Sequence, residues 1–289
     1  MENSPSNISV MAKKTKKIES IETTMTEALM RSGYMMESRI IRKLVENDFF
    51  VEPNQRILDP RTGKTREIDL IAQRWNYDYK MTAAESKVSV LVNFICEAKN
   101  NPYPMVLLTE LPLSPGLEPW ESLHECRTGL FAGHDLETTF YDFLYGRDHK
   151  IYTQYCSFKP KKGANETGWM AWHPDDFYDD LEKIISFCKD QAVQDEKALT
   201  DDYHRLHLYL PVVILGGDLF IAEPMQEKIS LRKVDVARLI HFGVQNQEQS
   251  LSLVFFVTER YFSALFDEIV RLGQSLEKTT VERLRSYKP

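Results

Sequence analysis

A chain of 289 residues, 43% hydrophobic and 27% charged, has the make-up of an ordinary globular protein and is long enough for one large domain or two small ones. No apolar run reaches the roughly 18–20 residues of a membrane span, and four cysteines spread without a CxxC pair argue against a zinc knuckle or a disulfide framework and suit a reducing cytoplasm. The net charge of −7 gives no bulk attraction to nucleic acid, so any such binding has to rest on basic residues local to a cleft.

Residues 1–20, MENSPSNISVMAKKTKKIES, are polar and basic with no apolar stretch of a secretory signal, and read as a disordered tail. Its Lys13, Lys14, Lys16 and Lys17 are expected to be solvated rather than bound to nucleic acid. From Ile21 to Asp48 the apolar residues Ala28, Leu29, Tyr34, Met35, Ile40, Ile41, Leu44 and Val45 recur at helical spacing, with Gly33 as a break between two helices. Glu37, three and four positions before Ile40 and Ile41, belongs near the apolar face, unless it simply pairs with Arg39 or Arg42 on the surface. Phe49–Leu58 reads as a strand, Asp59–Lys64 as a turn, and Arg66–Arg74 as its antiparallel partner, with Asp69 set alone among Ile68, Leu70, Ile71 and Ala72.

Val90–Lys99 is a nearly continuous apolar run ending in Glu97, Ala98 and Lys99. On a strand, Glu97 and Lys99 point to the same face, and burying them costs desolvation unless a partner or a function offsets it. The prolines that follow, from Pro102 and Pro104 to Pro119, predict an irregular insertion over about 100–168, suited to lining a cleft. Within it, Asp135–Gly146 reads as a short helix, and Tyr152–Phe158, with Gln154, as strand or helix. Lys159, Lys161 and Lys162 form a basic loop able to meet a phosphate backbone.

Asp175–Lys197 is an amphipathic helix with Phe177, Leu181, Ile184, Ile185 and Cys188 on one face. The rest is strand-rich: Leu210–Leu215 and Asp218–Ala222 flank Gly216–Gly217, a hairpin signature, followed by Val234–Val244 and Ser252–Thr258. Tyr261–Leu276 is a closing helix. His204 and His207, three apart, read as a surface pair rather than metal ligands, as do His124 and Cys126. Trp120, Trp169 and Trp172 lie in irregular stretches and suit core packing or stacking on bases. The economical arrangement is α/β, a mixed central sheet with helices on both faces and a strand-rich C-terminal extension over residues 21–289.

The acid–x–Lys pattern occurs five times, at Asp78, Glu85, Glu97, Asp148 and Asp195, so the pattern alone selects nothing. Only the Glu97 copy ends a long apolar run and follows a strand carrying a lone Asp. In that order and context, Glu37, Asp69, Glu97 and Lys99 resemble the PD-(D/E)xK nuclease superfamily, with Ile68 in place of the motif's proline. The resemblance covers roughly residues 25–101 and implies a restriction-endonuclease-like core. It implies Mg²⁺, or Mn²⁺, held by Asp69, Glu97 and the Ala98 carbonyl, with Lys99 orienting or helping to deprotonate the attacking water and Glu37 binding through water or a second metal. It also makes Gln154 an accessory residue if it sits on the helix after the lysine, as in some members.

The expectation is therefore a cytoplasmic, Mg²⁺-dependent nuclease acting on DNA, with a homodimer or a larger defence or repair assembly as its setting and no membrane partner. Two alternatives stand beside it: a catalytically silent protein of the same fold serving as a binding or assembly module, and an unrelated α+β interaction protein. For each residue a plain ion pair is the competing reading: Glu97 with Lys99, and Asp69 with Arg66 or Lys64.

Overall fold

The computed structural model describes residues 20–59, 62–74, 87–110, 122–132, 150–161, 168–173, 175–198, 203–225, 228–245 and 248–286. The basic tail, the helix expected over 135–146, Trp120 and Lys162 lie outside them. The described part begins with two short helices, α1 (Ile21–Arg31), capped by the Ser20 side chain, and α2 (Gly33–Glu46), with Ser32 as the break between them. Met36, Ile40 and Leu44, spaced four apart, form the buried stripe of α2, whereas Tyr34 and Val45 stay exposed.

A three-stranded antiparallel unit follows: β1 (Phe50–Leu58), β2 (Thr65–Arg74) and β3 (Val88–Lys99). On its other side β3 pairs in parallel with β8 (His204–Leu215), from Val88 opposite His204 to Lys99 opposite Leu215. A strand in that position is buried on both faces, which is why its sequence is apolar throughout instead of alternating. The crossover between β3 and β8 carries α3 (Asp175–Ala198), which buries Phe177, Leu181, Ile184, Ile185 and Cys188 on one face of the sheet. The opposite face is covered by α2 and by α4 (Phe262–Ser286), whose Phe266 stacks on Phe94 at 3.8 Å between ring centroids. At Gly273 the helix comes so close to β3 that a Cβ there would sit 3.1 Å from Val90.

Among the described residues one twelve-stranded mixed sheet joins these strands to β4 (Met105–Glu110), β5 (His124–Arg127), β6 (Tyr152–Pro160), β7 (Trp169–Trp172), β9 (Leu219–Met225), β10 (Lys228–Val234), β11 (Val236–Gln245) and β12 (Glu248–Thr258). Its main path runs β1-β2-β3-β8-β12-β11-β6-β4-β9-β10, with β5 beside β8 and β7 beside β6. The molecule is thus α/β, and the strand-rich C-terminal part continues the central sheet.

Several expectations change, among them those for Trp169 and Trp172, which stand on β7 and not in an irregular stretch, and for His124, Cys126 and His207, which are buried and not at the surface. The stretch 100–168 is not irregular throughout, because the prolines at 102 and 104 precede β4 and the chain then supplies β4, β5 and β6. Gly216–Gly217 is not a hairpin: β8 and β9 do not pair, and the glycines let the turn press against the chain leaving β3. Gly216 N donates to Lys99 O at 2.9 Å, and a Cβ on Gly217 would meet Asn101 O at 2.5 Å. Gln154 lies on β6, a strand that pairs with β4 and not with β3. Its amide oxygen accepts from the Thr109 hydroxyl at 2.7 Å, so neither the helix nor the accessory role holds.

His204 and His207 share β8 but, three apart, point to opposite faces. His204 Nδ1 accepts from Leu130 N, and His207 Nδ1 contacts Asp195 at 2.5 Å. His124 is buried beside Ser252, 3.1 Å from its hydroxyl, and burial with the nearby Lys189 pushes its pKa from 6.5 down to about 3. Above pH 6.5 the ring is neutral folded and unfolded, and costs nothing; below it only the unfolded chain takes the proton, so stability falls as pH drops toward 3. Between pH 7.5 and 5 this single ring is expected to remove about 2 kcal/mol. Urea unfolding at both pH values checks it: His124→Asn should lose about that much less than the wild type on acidification, and equal losses would contradict it.

Candidate functional site

Asp69 and Glu97 meet where β2 and β3 end their pairing. The register couples Leu70 with Cys96, so one step further Asp69 falls opposite Glu97, and opposite residues of an antiparallel pair share a face. On the other side of β2, pairing with β1 skips Asn54, whose backbone is left-handed at φ 52°, opposite Asp69. Both carboxylates point to the α3 face. Asp69 Oδ2 accepts a hydrogen bond from Ala98 N at 2.7 Å; neither Arg66, which lies 3.0 Å from Asp59, nor Lys64 takes it.

Glu97 is 4% exposed and carries an ammonium on each oxygen. Lys99 Nζ donates to Oε1 at 2.8 Å, and Lys183 Nζ lies 2.7 Å from Oε2 in an ion contact that lacks hydrogen-bond angles. Lys99 also reaches Asp180 Oδ2 at 2.5 Å, and Lys183 comes within 3.6 Å of the other Asp180 oxygen. Asp180 and Lys183 stand three apart on α3, so one helix face delivers both beside the buried Phe177, Leu181 and Ile184.

Glu37 arrives from α2 on the far side of the sheet, because that helix begins at the strand ends: Asn100 Nδ2 donates to Ser32 O at 2.7 Å. Its carboxylate folds back over Gly33 and lies within electrostatic reach of Glu97 and Lys99. Arg39 and Arg42 are engaged with Glu259 and Glu46, which removes the surface pairing considered for Glu37.

Burial, reinforced by neighbouring acids, raises the carboxyl pKa values of Glu37, Asp69 and Glu97. Burial alone would lower that of Lys99, but Glu97 and Asp180 outweigh it and the net shift is upward, so Lys99 is held as an ammonium ion. The upward shifts differ in origin, burial leading for the acids and the facing carboxylates for the amine. Glu37, Asp69, Glu97 and Asp180 are four carboxylates gathered around only two ammonium groups, Lys99 and Lys183, and the site is short of positive charge.

The sequence reading thus finds Glu37, Asp69, Glu97, Ala98 and Lys99 in one place, and misses Asp180 and Lys183. Little in the sequence marked them, since both lie outside the apolar stripe of α3 and the burial of Lys183, 6% exposed, arises only in the fold. Lys159 is on β6, its Nζ 4.6 Å from the centroid of the Trp172 ring, and Lys161 follows it at the strand's end. Among the described residues no group of three or more His, Cys, Asp and Glu side chains is arranged as a ready metal cage, and no helix is long and apolar enough to cross a membrane. No family model, curated protein or solved structure matches this chain.

Proposed function

We propose that the protein is a metal-dependent nuclease of the PD-(D/E)xK type that hydrolyses phosphodiester bonds in DNA. The observation that carries this reading is the placement of Asp69 opposite Glu97, with Lys99 on the same face, where the pairing of β2 and β3 ends. The elements α2, β1, β2, β3, α3 and β8, with β4–β7 inserted between β3 and α3 and with β8 parallel to β3, support it as well.

The donor set fits a hard divalent cation. Asp69 and Glu97 offer carboxylate oxygens, Mg²⁺ needs only one or two carboxylates beside waters, and one divalent ion would offset the site's two surplus negative charges. Asp69, Glu97 and the Ala98 carbonyl would hold Mg²⁺ or Mn²⁺, which supplies Lewis-acid charge to the phosphate when bound. The remaining work falls to side chains. Lys99, kept protonated, neutralises charge growing on the phosphate oxygens and is not the base. Asp180 orients Lys99, and Lys183 positions Glu97. Glu37, within electrostatic reach of Glu97 and Lys99, is the carboxylate left to hold a water and accept its proton.

A second reading has its own support. Both oxygens of Glu97 are already held by lysines and Asp69 Oδ2 by Ala98 N, as in a site that has become structural in a catalytically silent binding module. Incubating the protein with supercoiled and linear DNA in Mg²⁺, Mn²⁺ or EDTA separates the two. The nuclease reading expects metal-dependent cleavage that is absent in EDTA and in Asp69→Ala. Intact DNA under every condition favours the silent module.

A further inference from the structure

Beside the carboxylate cluster, on the side away from Glu37, lies a cleft of about 230 Å³ that shares Lys99 and Asp180 with it. Its remaining wall is mostly aromatic and apolar: Tyr103 and Met105 from the chain after β3, Trp172 from β7 and Phe177 from α3. We infer that this cleft receives one unpaired base of a single-stranded polynucleotide whose adjacent phosphate lies at Lys99. The inference rests on the nuclease reading of the neighbouring site and names its substrate class.

Four observations converge on it. The volume falls below the roughly 300–1,000 Å³ of a pocket for a drug-sized ligand, which suits a single flat ring system. The hairpin of β6 and β7 holds two tryptophans in the open, Trp169 at 57% and Trp172 at 39% exposure, where water contact is unfavourable unless a partner covers them. Tyr103 braces Trp169 edge-on at 6.3 Å, and Lys159 lies over Trp172, so the aromatic wall carries a cation suited to a second phosphate. The two carboxylates in the wall itself are paired, Asp180 with Lys99 and Asp218 with Lys233 at 2.6 Å, and the surplus negative charge lies in the adjoining cluster, where the divalent cation would offset it.

The shared Lys99 sets the geometry. A phosphate drawn to its ammonium has its own nucleotide's base within one nucleotide of the aromatic wall, and a base still stacked and paired inside a duplex cannot enter. The same cleft therefore selects unpaired strands over duplex and anchors the scissile bond.

The test uses the full chain and a fluorescein-labelled 20-nucleotide DNA, single-stranded or annealed, with anisotropy read in EDTA and cleavage read in Mg²⁺. The single strand should bind more tightly than the duplex, and Trp172→Ala should weaken single-strand binding roughly 5- to 150-fold while leaving duplex binding unchanged. Trp172→Phe should restore most of the loss, which separates stacking from misfolding. An oligonucleotide made wholly of abasic sites should bind wild type and Trp172→Ala alike. Equal affinity for single strand and duplex, or a Trp172→Ala loss that persists on the abasic strand, overturns the inference. Cleavage of duplex and single strand at the same rate by both proteins also overturns it while leaving the nuclease reading standing. Trp172-dependent single-strand binding without cleavage in Mg²⁺ keeps the base pocket and removes the nuclease reading instead.

Discussion

Replacing Lys99 with Ala is expected to lower metal-dependent DNA cleavage about 100- to 1,000-fold, the usual effect of removing one charge-stabilising group from a hydrolytic site. The ammonium sits between Glu97 and Asp180, at 2.8 and 2.5 Å, and their field keeps it protonated, so its contribution is positive charge at the phosphate rather than proton abstraction. The substitution leaves the fold in place because Lys183 still contacts both carboxylates. Cleavage rates measured alongside thermal unfolding decide the matter: a large fall in rate with an intact transition is the expected result. A rate within a few-fold of wild type would remove Lys99 from the mechanism.

Lys183 should behave in the opposite way, costing stability. It and Glu97 form a pair with both side chains nearly sealed from water, at 7% and 6% exposure. Lys183→Met leaves a buried carboxylate oxygen without its counter-ion, and breaking such a pair typically costs about 3–5 kcal/mol. Lys99 remains on the other oxygen, so the lower end, about 3 kcal/mol, is the expectation. Removing the surplus charge as well, in Lys183→Met with Glu97→Gln, should recover much of the loss, because a neutral amide needs no counter-ion. Urea denaturation of the wild type, both single variants and the double variant gives the coupling directly. Additive effects would show that the pair does not interact energetically.

The sequence made the central strand legible because burial on both faces leaves a signature that no surface strand shares. The run from Val88 to Lys99 is apolar because β2 and β8 flank it and α3 and α4 cover it. The same property exposed Glu97 and Asp69, since a charge within a buried strand has to be answered by something. What answers Glu97 was harder to see. Asp180 and Lys183 lie more than eighty residues downstream, and only the approach of α3 to the end of β3 turns two charges beside an apolar helical stripe into partners of the site.

Gly216–Gly217 misled for a related reason. Two glycines announce a tight turn but not whether the strands it joins are neighbours, and here the second strand crosses to the far part of the sheet. Gln154 failed on secondary structure: Tyr152–Phe158 fits either a strand or a helix locally, and pairing with β4 decides it. The prolines after Lys99 obscured β4 in the same way, because they end just where the strand begins.

The account depends on Asp69 and Glu97 jointly binding a divalent cation, and calorimetric titration of the full-length protein with Mn²⁺ tests that most directly. The account predicts a saturable site in the wild type that is lost or severely weakened in both Asp69→Asn and Glu97→Gln, each shown to be folded. Mn²⁺ binding unchanged by both substitutions, or absent from the wild type, would contradict it.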